Sequence, residues 1–258
     1  MMEVKKLSFA YERGKKIIDK VSFSIPEGKI TTFMGANGSG KSTLFQLMTK
    51  NLQPGRGKIF CDGKNIRTMK QKEFARLAAI VHQNNTASSD ITVEKLISYG
   101  RTPYLPVLGT MRKEDHEIME WAMDVMDVSE YRDRSVMDLS GGQRQRVWIA
   151  MALAQKTKLL FLDEPTTYLD IRYQLELLDK IRELNREYGI TVVMVLHDIN
   201  HAIYYSDYII GLKKGQIVLQ GEPEQVISSE SIHALYGIDL EVIRQGGRKY
   251  VLTVQEET

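Results

Sequence analysis

Gly35-Ala36-Asn37-Gly38-Ser39-Gly40-Lys41-Ser42 sits where the period of the chain changes. Ahead of it, 29–34 is a short apolar run of strand type; behind it Leu44, Phe45, Leu47 and Met48 recur at helical spacing. A strand, then G-x-x-x-x-G-K-[ST], then a helix is the context that separates a P-loop from a glycine-rich turn with a surface lysine. Its glycines allow backbone angles that side chains forbid, so successive N–H groups can point inward at phosphate oxygens. The helix starting near Lys41 adds its positive end. Lys41 would then reach the β- and γ-phosphates, and Ser42 would offer its hydroxyl to Mg²⁺. The stretch sets an α/β fold around a phosphate site.

Working outward, 5–11 and 21–25 alternate apolar and polar residues, and Pro26-Glu27-Gly28 supplies a turn before the strand at 29–34. Gln53-Pro54-Gly55-Arg56-Gly57 breaks the chain before another strand at 58–61. The apolar segments 78–81, 159–162 and 191–196 have the character of strands buried on both faces, as in a parallel sheet. Ile118, Trp121, Ala122, Val125 and Met126 mark one amphipathic helix; Val147, Ile149, Met151 and Leu153 mark another, expected from about Arg144 to Ala154. The stretch 90–138 is expected to be a helical insertion in the α/β core. Turns at Lys213-Lys214-Gly215 and Gly246-Gly247 make hairpins of 209–219 and 240–254.

Composition narrows the function classes. The 258 residues include 35 Lys plus Arg against 33 Asp plus Glu, a net charge of +2. That balance points away from a chain devoted to coating nucleic acid and leaves room for a local basic patch. The longest apolar run, 147–154, is far short of the ~20 residues of a membrane helix. The start, Met1-Met2-Glu3-Val4-Lys5-Lys6, has no apolar stretch of secretory type. A single cysteine, Cys61, makes no internal disulfide. A chain of the cytosolic compartment is expected.

The strand at 159–162 ends in Asp163-Glu164. Asp163 could hold Mg²⁺ through its oxygens, and Glu164 could accept a proton from an attacking water; an acidic pair capping the next helix is the alternative. Gln83 and His197 close two other strands, as phosphate contacts or as satisfied structural residues. Leu139-Ser140-Gly141-Gly142-Gln143 precedes a helix, giving either a second anion-binding helix start or an ordinary Ser N-cap.

In this order, the P-loop, Gln83, Leu139 to Gln143, Asp163-Glu164, Tyr168-Leu169-Asp170 and His197 make the chain resemble an ATP-binding-cassette (ABC) ATPase over essentially its whole length. The resemblance implies a P-loop NTPase core of ABC type, with an N-terminal antiparallel β subdomain, the helical subdomain inserted at about 90–138 and a short C-terminal extension at about 222–258. It implies ATP and Mg²⁺, with ATP contacts at Gly35, Ala36, Asn37, Gly38, Ser39, Gly40, Lys41, Ser42 and Thr43, and adenine stacked on Tyr11. It further implies Mg²⁺ on Ser42, Gln83 and Asp163, and catalysis by Glu164, His197, Lys41 and Gln83. Two subunits would sandwich two ATP molecules, the P-loop of one facing Leu139, Ser140, Gly141, Gly142 and Gln143 of the other, with Asp170 at the seam. Thr166-Thr167-Tyr168-Leu169-Asp170 departs from the Ser-x-Leu-Asp of many members.

One P-loop and one Ser-Gly-Gly-Gln element require a second copy to complete a composite site, and about ninety-five residues between Ser42 and Leu139 leave no long coiled coil. Tyr99-Gly100-Arg101-Thr102-Pro103-Tyr104 resembles a stretch of importer ATPases for iron–siderophores, haem and cobalamin; a Pro-stiffened surface loop is the alternative. The expectation is an ATPase subunit at the cytoplasmic face of the membrane, powering ferric siderophore uptake. Its partners would be a second copy, two permease subunits and, indirectly, a substrate-binding protein, with no nucleic acid. Haem or cobalamin import, or a nucleotide-gated dimer without transport, are the competing readings.

Overall fold

The structure, a computed structural model, describes residues 2–11, 14–106 and 109–254. The first position and the last four of the 1–258 span expected from sequence therefore lie outside the described residues. In chain order the strands are β1 (Met2–Phe9), β2 (Ile18–Ile25), β3 (Ile30–Met34), β4 (Arg56–Cys61), β5 (Lys64–Asn65), β6 (Ala78–Val81), β7 (Leu159–Asp163), β8 (Thr191–Val195), β9 (Tyr208–Lys213), β10 (Gln216–Gly221), β11 (Val242–Gln245) and β12 (Arg248–Val251). The α-helices are α1 (Lys41–Met48), α2 (Gln71–Phe74), α3 (Val93–Ser98), α4 (Lys113–Val125), α5 (Gly141–Leu153), α6 (Ile171–Tyr188), α7 (Ile199–Tyr205), α8 (Pro223–Val226) and α9 (Ser229–Tyr236). They fall into two compact units, Met1–Thr68 with Thr191–Thr258, and Met69–Ile190.

The first unit contains two β layers. In one, β1 pairs antiparallel with both β2 and β4, and β4 with β5. Period-2 alternation puts Val4, Val21, Phe23, Ile25, Ile59 and Cys61 on its buried face. In the other, β3 runs parallel to β8 on one side and β9 on the other, and β10 closes antiparallel on β9. Every residue of β3 and β8 is buried, which is why both are nearly continuous apolar runs with threonines as their polar members. The tail supplies α8, α9 and the β11–β12 hairpin.

The second unit carries β6 and β7 as a parallel pair, with α3 and α4 packed on α5. Helix α6 buries Leu177, Leu178, Ile181, Leu184 and Asn185, spaced i, i+1, i+4, i+7 and i+8 along one stripe, and ends on Gly189 in the left-handed conformation.

Strands β1, β2 and β4 begin earlier than expected, at Met2, Ile18 and Arg56, and two further shifts bear on the site. Strand β1 ends at Phe9, so Tyr11 lies beyond it, 59% exposed. Helix α5 starts at Gly141 rather than near Arg144, because Ser140 and Gln143 form a reciprocal capping box that draws the glycines into the first turn.

Candidate active site

The P-loop and His197 belong to the first unit. Strand β3 delivers the chain into Gly35, whose φ of +143° favours glycine; a Cβ there would lie 2.2 Å from the Leu212 carbonyl oxygen. The loop is pinned by Ser39 N–H donating to the Ala36 carbonyl at 3.1 Å and by Gly215 N–H donating to that of Ser39 at 2.8 Å. Gly40, in the left-handed conformation, is the N-cap of α1, and no side chain caps the helix there. Lys41 is buried and folds back along the loop, its Nζ donating to the carbonyls of Gly35 at 2.7 Å and Ala36 at 3.2 Å. Ser42 is exposed on the first turn, whereas Thr43 is buried, its Oγ1 3.3 Å from the Tyr11 hydroxyl. Phe9 steadies Tyr11 through an edge-on ring contact at 4.9 Å. His197 is exposed just past β8, and Asp198 caps α7 by accepting the His201 N–H at 2.7 Å.

Sequence reasoning missed Tyr236. Burial pushes its hydroxyl up to about 12, partly offset by the influence of the Gly35 backbone N–H.

The second unit holds Gln83, Leu139 to Gln143, Asp163, Glu164 and Asp170. Asp163 ends β7, half-buried. Glu164 follows with φ +49°, in the left-handed region that costs a non-glycine residue ~1–2 kcal/mol. That turn brings its carboxylate to two donors: the Gln83 side-chain amide, and the Thr167 hydroxyl at 3.2 Å, both on Oε2. The Thr167 N–H also donates to the Glu164 carbonyl at 3.2 Å. Gln83 and Glu164, proposed separately from sequence, are therefore in direct contact. Thr167 was missed, since nothing in the pair Thr166-Thr167 marks which hydroxyl turns back.

Ser140 accepts the Gln143 N–H at 3.3 Å while Gln143 Oε1 accepts the Ser140 N–H at 2.9 Å and its amide donates to the Tyr131 hydroxyl at 3.0 Å. The N-cap reading is thus realised, with Leu139 buried ahead of it and Gly141 exposed at the helix tip. Asp170 caps α6 by accepting the Tyr173 N–H at 3.2 Å, and Tyr168 projects 88% exposed at φ +65°.

Comparison with known proteins gives the family. Residues 18–167 match the family model described as ABC transporter. The iron(3+)-hydroxamate import ATP-binding protein FhuC of Bacillus subtilis is 45% identical over 88% of this chain and 84% of its own length. The ferric enterobactin transport ATP-binding protein FepC of Escherichia coli is 43% identical over the same shares, 88% and 84%. Among solved structures, a dimeric ATP-binding cassette bound to ADP and Pi, MJ0796, superposes with a TM-score of 0.75 at 27% identity over 86% of this chain and 99% of that one. With its phosphate loop, carboxylate pair and capped Ser-Gly-Gly-Gln helix in ordered sequence, this chain belongs to the ABC transporter family, as an ATPase cassette.

Proposed function

We propose that the chain is the ATP-hydrolysing subunit of an importer that takes up a ferric siderophore through two separate permease subunits. The observation that carries the cargo reading is the likeness, over 88% of the chain, to ATPases named for iron(3+)-hydroxamate import and ferric enterobactin transport. Among the described residues no helix is long and apolar enough to cross a membrane, which accords with permeases supplied as other chains. In this reading the subunit lies at the cytoplasmic face, the segment 90–138 engages the permeases, and 222–258 is a short extension. A substrate-binding protein delivers cargo on the opposite side.

The residues present fit Mg-ATP. The uncapped start of α1 offers N–H groups to phosphate, and Ser42, Gln83 and Asp163 are hard oxygen donors of the kind Mg²⁺ takes. Mg²⁺ bound there would neutralise charge on the β- and γ-phosphates. The amides from Gly35 to Thr43 and the Lys41 ammonium hold the triphosphate, and Tyr11 stacks on adenine. Glu164 accepts the proton of the attacking water, its carboxylate oriented by Gln83 and Thr167, and His197 contacts the γ-phosphate. Two copies work as a homodimer, each P-loop facing the other copy's Leu139 to Gln143, with Asp170 at the seam.

The test is uptake by a strain lacking this gene, offered radiolabelled iron as ferric hydroxamate and catecholate siderophores, haem and labelled cobalamin. Selective loss of siderophore-iron uptake, restored by the intact gene and not by a Lys41→Ala copy, is expected. Loss confined to haem or cobalamin would reassign the cargo, and no loss at all would overturn the importer reading.

A further inference from the structure

The exposed face of the β2–β1–β4 layer carries a concentration of positive charge; of the residues lining its groove, only Tyr11 has a part in the proposed ATP site. A groove of about 1270 Å³ runs across it, and six of its fifteen lining residues are cationic: Lys5, Lys6, Lys16, Lys20, Arg56 and Lys58. None of the fifteen is acidic, in a chain whose total charge is only +2. Glu3 pairs with Lys5 and Asp19 with Lys16, each at 2.8 Å. Among the described residues, the side chains of Lys6, Lys20, Arg56 and Lys58 have no acidic partner.

The backbone is bent to build this face. Lys6 and Lys20 both sit in the left-handed region, at φ +48° and +53°. Register shifts between Val4 and Leu7 on the β2 side, and between Lys5 and Ser8 on the β4 side, interrupt both pairings of β1. Opposite them Gly57 has φ +85°, and a Cβ there would lie 2.4 Å from the Lys6 carbonyl oxygen. Ser22 Oγ accepts the Lys6 N–H at 2.8 Å and Ser8 Oγ the Lys20 N–H at 2.9 Å, which holds both strained residues in place. Bulges re-aim side chains, and two strained lysines on one face are a device of that kind.

We infer that this groove docks an acidic segment of a partner polypeptide. It exceeds the ~300–1,000 Å³ of small-molecule pockets, so its occupant is chain-like. Single-stranded nucleic acids draw affinity from bases stacked on open ring faces. Here Lys5 Nζ covers the Phe60 ring at 5.1 Å, and the proposed function gives the ring of Tyr11 to adenine. Five of the six cations are lysines, compact hydrated charges rather than the planar forks that grip phosphate in pairs. Such a surface favours fast, salt-sensitive encounter with carboxylates.

The test titrates the intact protein with a fluorescein-labelled poly-glutamate peptide, followed by anisotropy, from about 50 to about 500 mM salt. Saturable binding that weakens with salt is expected, reduced about tenfold by Lys20→Glu with Lys58→Glu and unchanged by Lys113→Glu with Lys158→Glu, an equal charge change outside the groove. Unaltered ATP turnover reports that the variants fold; the milder Lys20→Gln with Lys58→Gln, expected to cost about threefold, covers a folding failure. Absence of poly-glutamate binding, equal loss in both double variants, or tighter binding of oligodeoxythymidine or phosphatidylglycerol vesicles would each overturn the proposal.

Discussion

Glu164 shows how backbone strain can serve a side chain. Its φ of +49° turns the residue after β7 so that the carboxylate meets the Gln83 amide and the Thr167 hydroxyl together. The strand-end placement of the acidic pair, the glutamine and the histidine was legible in sequence because each ends or follows an apolar strand. The contact of Thr167 with Glu164 was not, because it depends on a three-residue turn. A hydrogen bond to a charged group contributes roughly 1.5–3 kcal/mol. Thr167→Val is therefore expected to lower ATP turnover about tenfold or more with little change in KM for ATP, whereas Thr167→Ser keeps near-normal turnover. Steady-state kinetics on both variants check this; equal turnover in the valine variant and the parent would remove Thr167 from the positioning of Glu164.

At the scale of elements, the stretch Gly100-Arg101-Thr102-Pro103-Tyr104 was open to two readings, and the surface-loop reading fails at its core. Gly100, Arg101 and Pro103 are buried. Arg101 donates to Asp115 of α4 at 2.9 Å and to the Ala154 carbonyl at the end of α5 at 2.7 Å, and its guanidinium lies 4.3 Å over the Tyr104 ring. One buried cation thus ties α4 and α5 to the turn that follows α3, an arrangement that no periodicity announces. Burial pushes the Asp115 carboxyl upward, but the Arg112 N–H bond and the Arg101 guanidinium outweigh it and hold the group below its ordinary value. A carboxylate depressed in the fold stabilises it above the unfolded pKa of ~3.9, and that contribution disappears as pH falls through the folded value. Asp115→Asn leaves Arg101 charged and buried without its partner, a loss of about 3–5 kcal/mol at neutral pH. Urea denaturation should show this gap at pH 7 and show it starting to close as pH falls below the unfolded value of ~3.9 and vanishing once the parent's folded carboxylate, held lower, is protonated too. A gap that persists undiminished in acid would mean that packing, not charge, accounts for the pair.

For the whole molecule, most strands and the helices α1, α4 and α5 followed from period-2 and 3.6 patterns, while α2, α3, α7, α8 and α9 and the extent of the compact units did not. The helical segment expected at about 90–138 packs on α5, so the compact unit extends from Met69 to Ile190 and takes in β6 and β7. Helix α5 is apolar on the side that receives α3 and α4, and its run at 147–154 carries no mark of which neighbours it serves. The count of motifs carries further than the boundaries. One P-loop and one Ser-Gly-Gly-Gln helix in each copy leave half of every proposed ATP pocket to a second chain, and a related cassette has been solved as a dimer. If nucleotide joins the copies, blocking hydrolysis should trap the joined state. Glu164→Gln keeps the shape of the side chain and its contact with Thr167 but removes the proton acceptor. Light scattering on this variant is expected to give a monomer mass without nucleotide and twice that mass with Mg-ATP, with turnover reduced by about a hundredfold or more. The parent should return to the monomer as ATP is consumed, and Lys41→Ala introduced into the blocked variant should prevent dimerisation. Mass that stays monomeric at high protein concentration with ATP bound would refute the shared-pocket arrangement, while wild-type turnover in a variant that dimerises would instead remove Glu164 as the base.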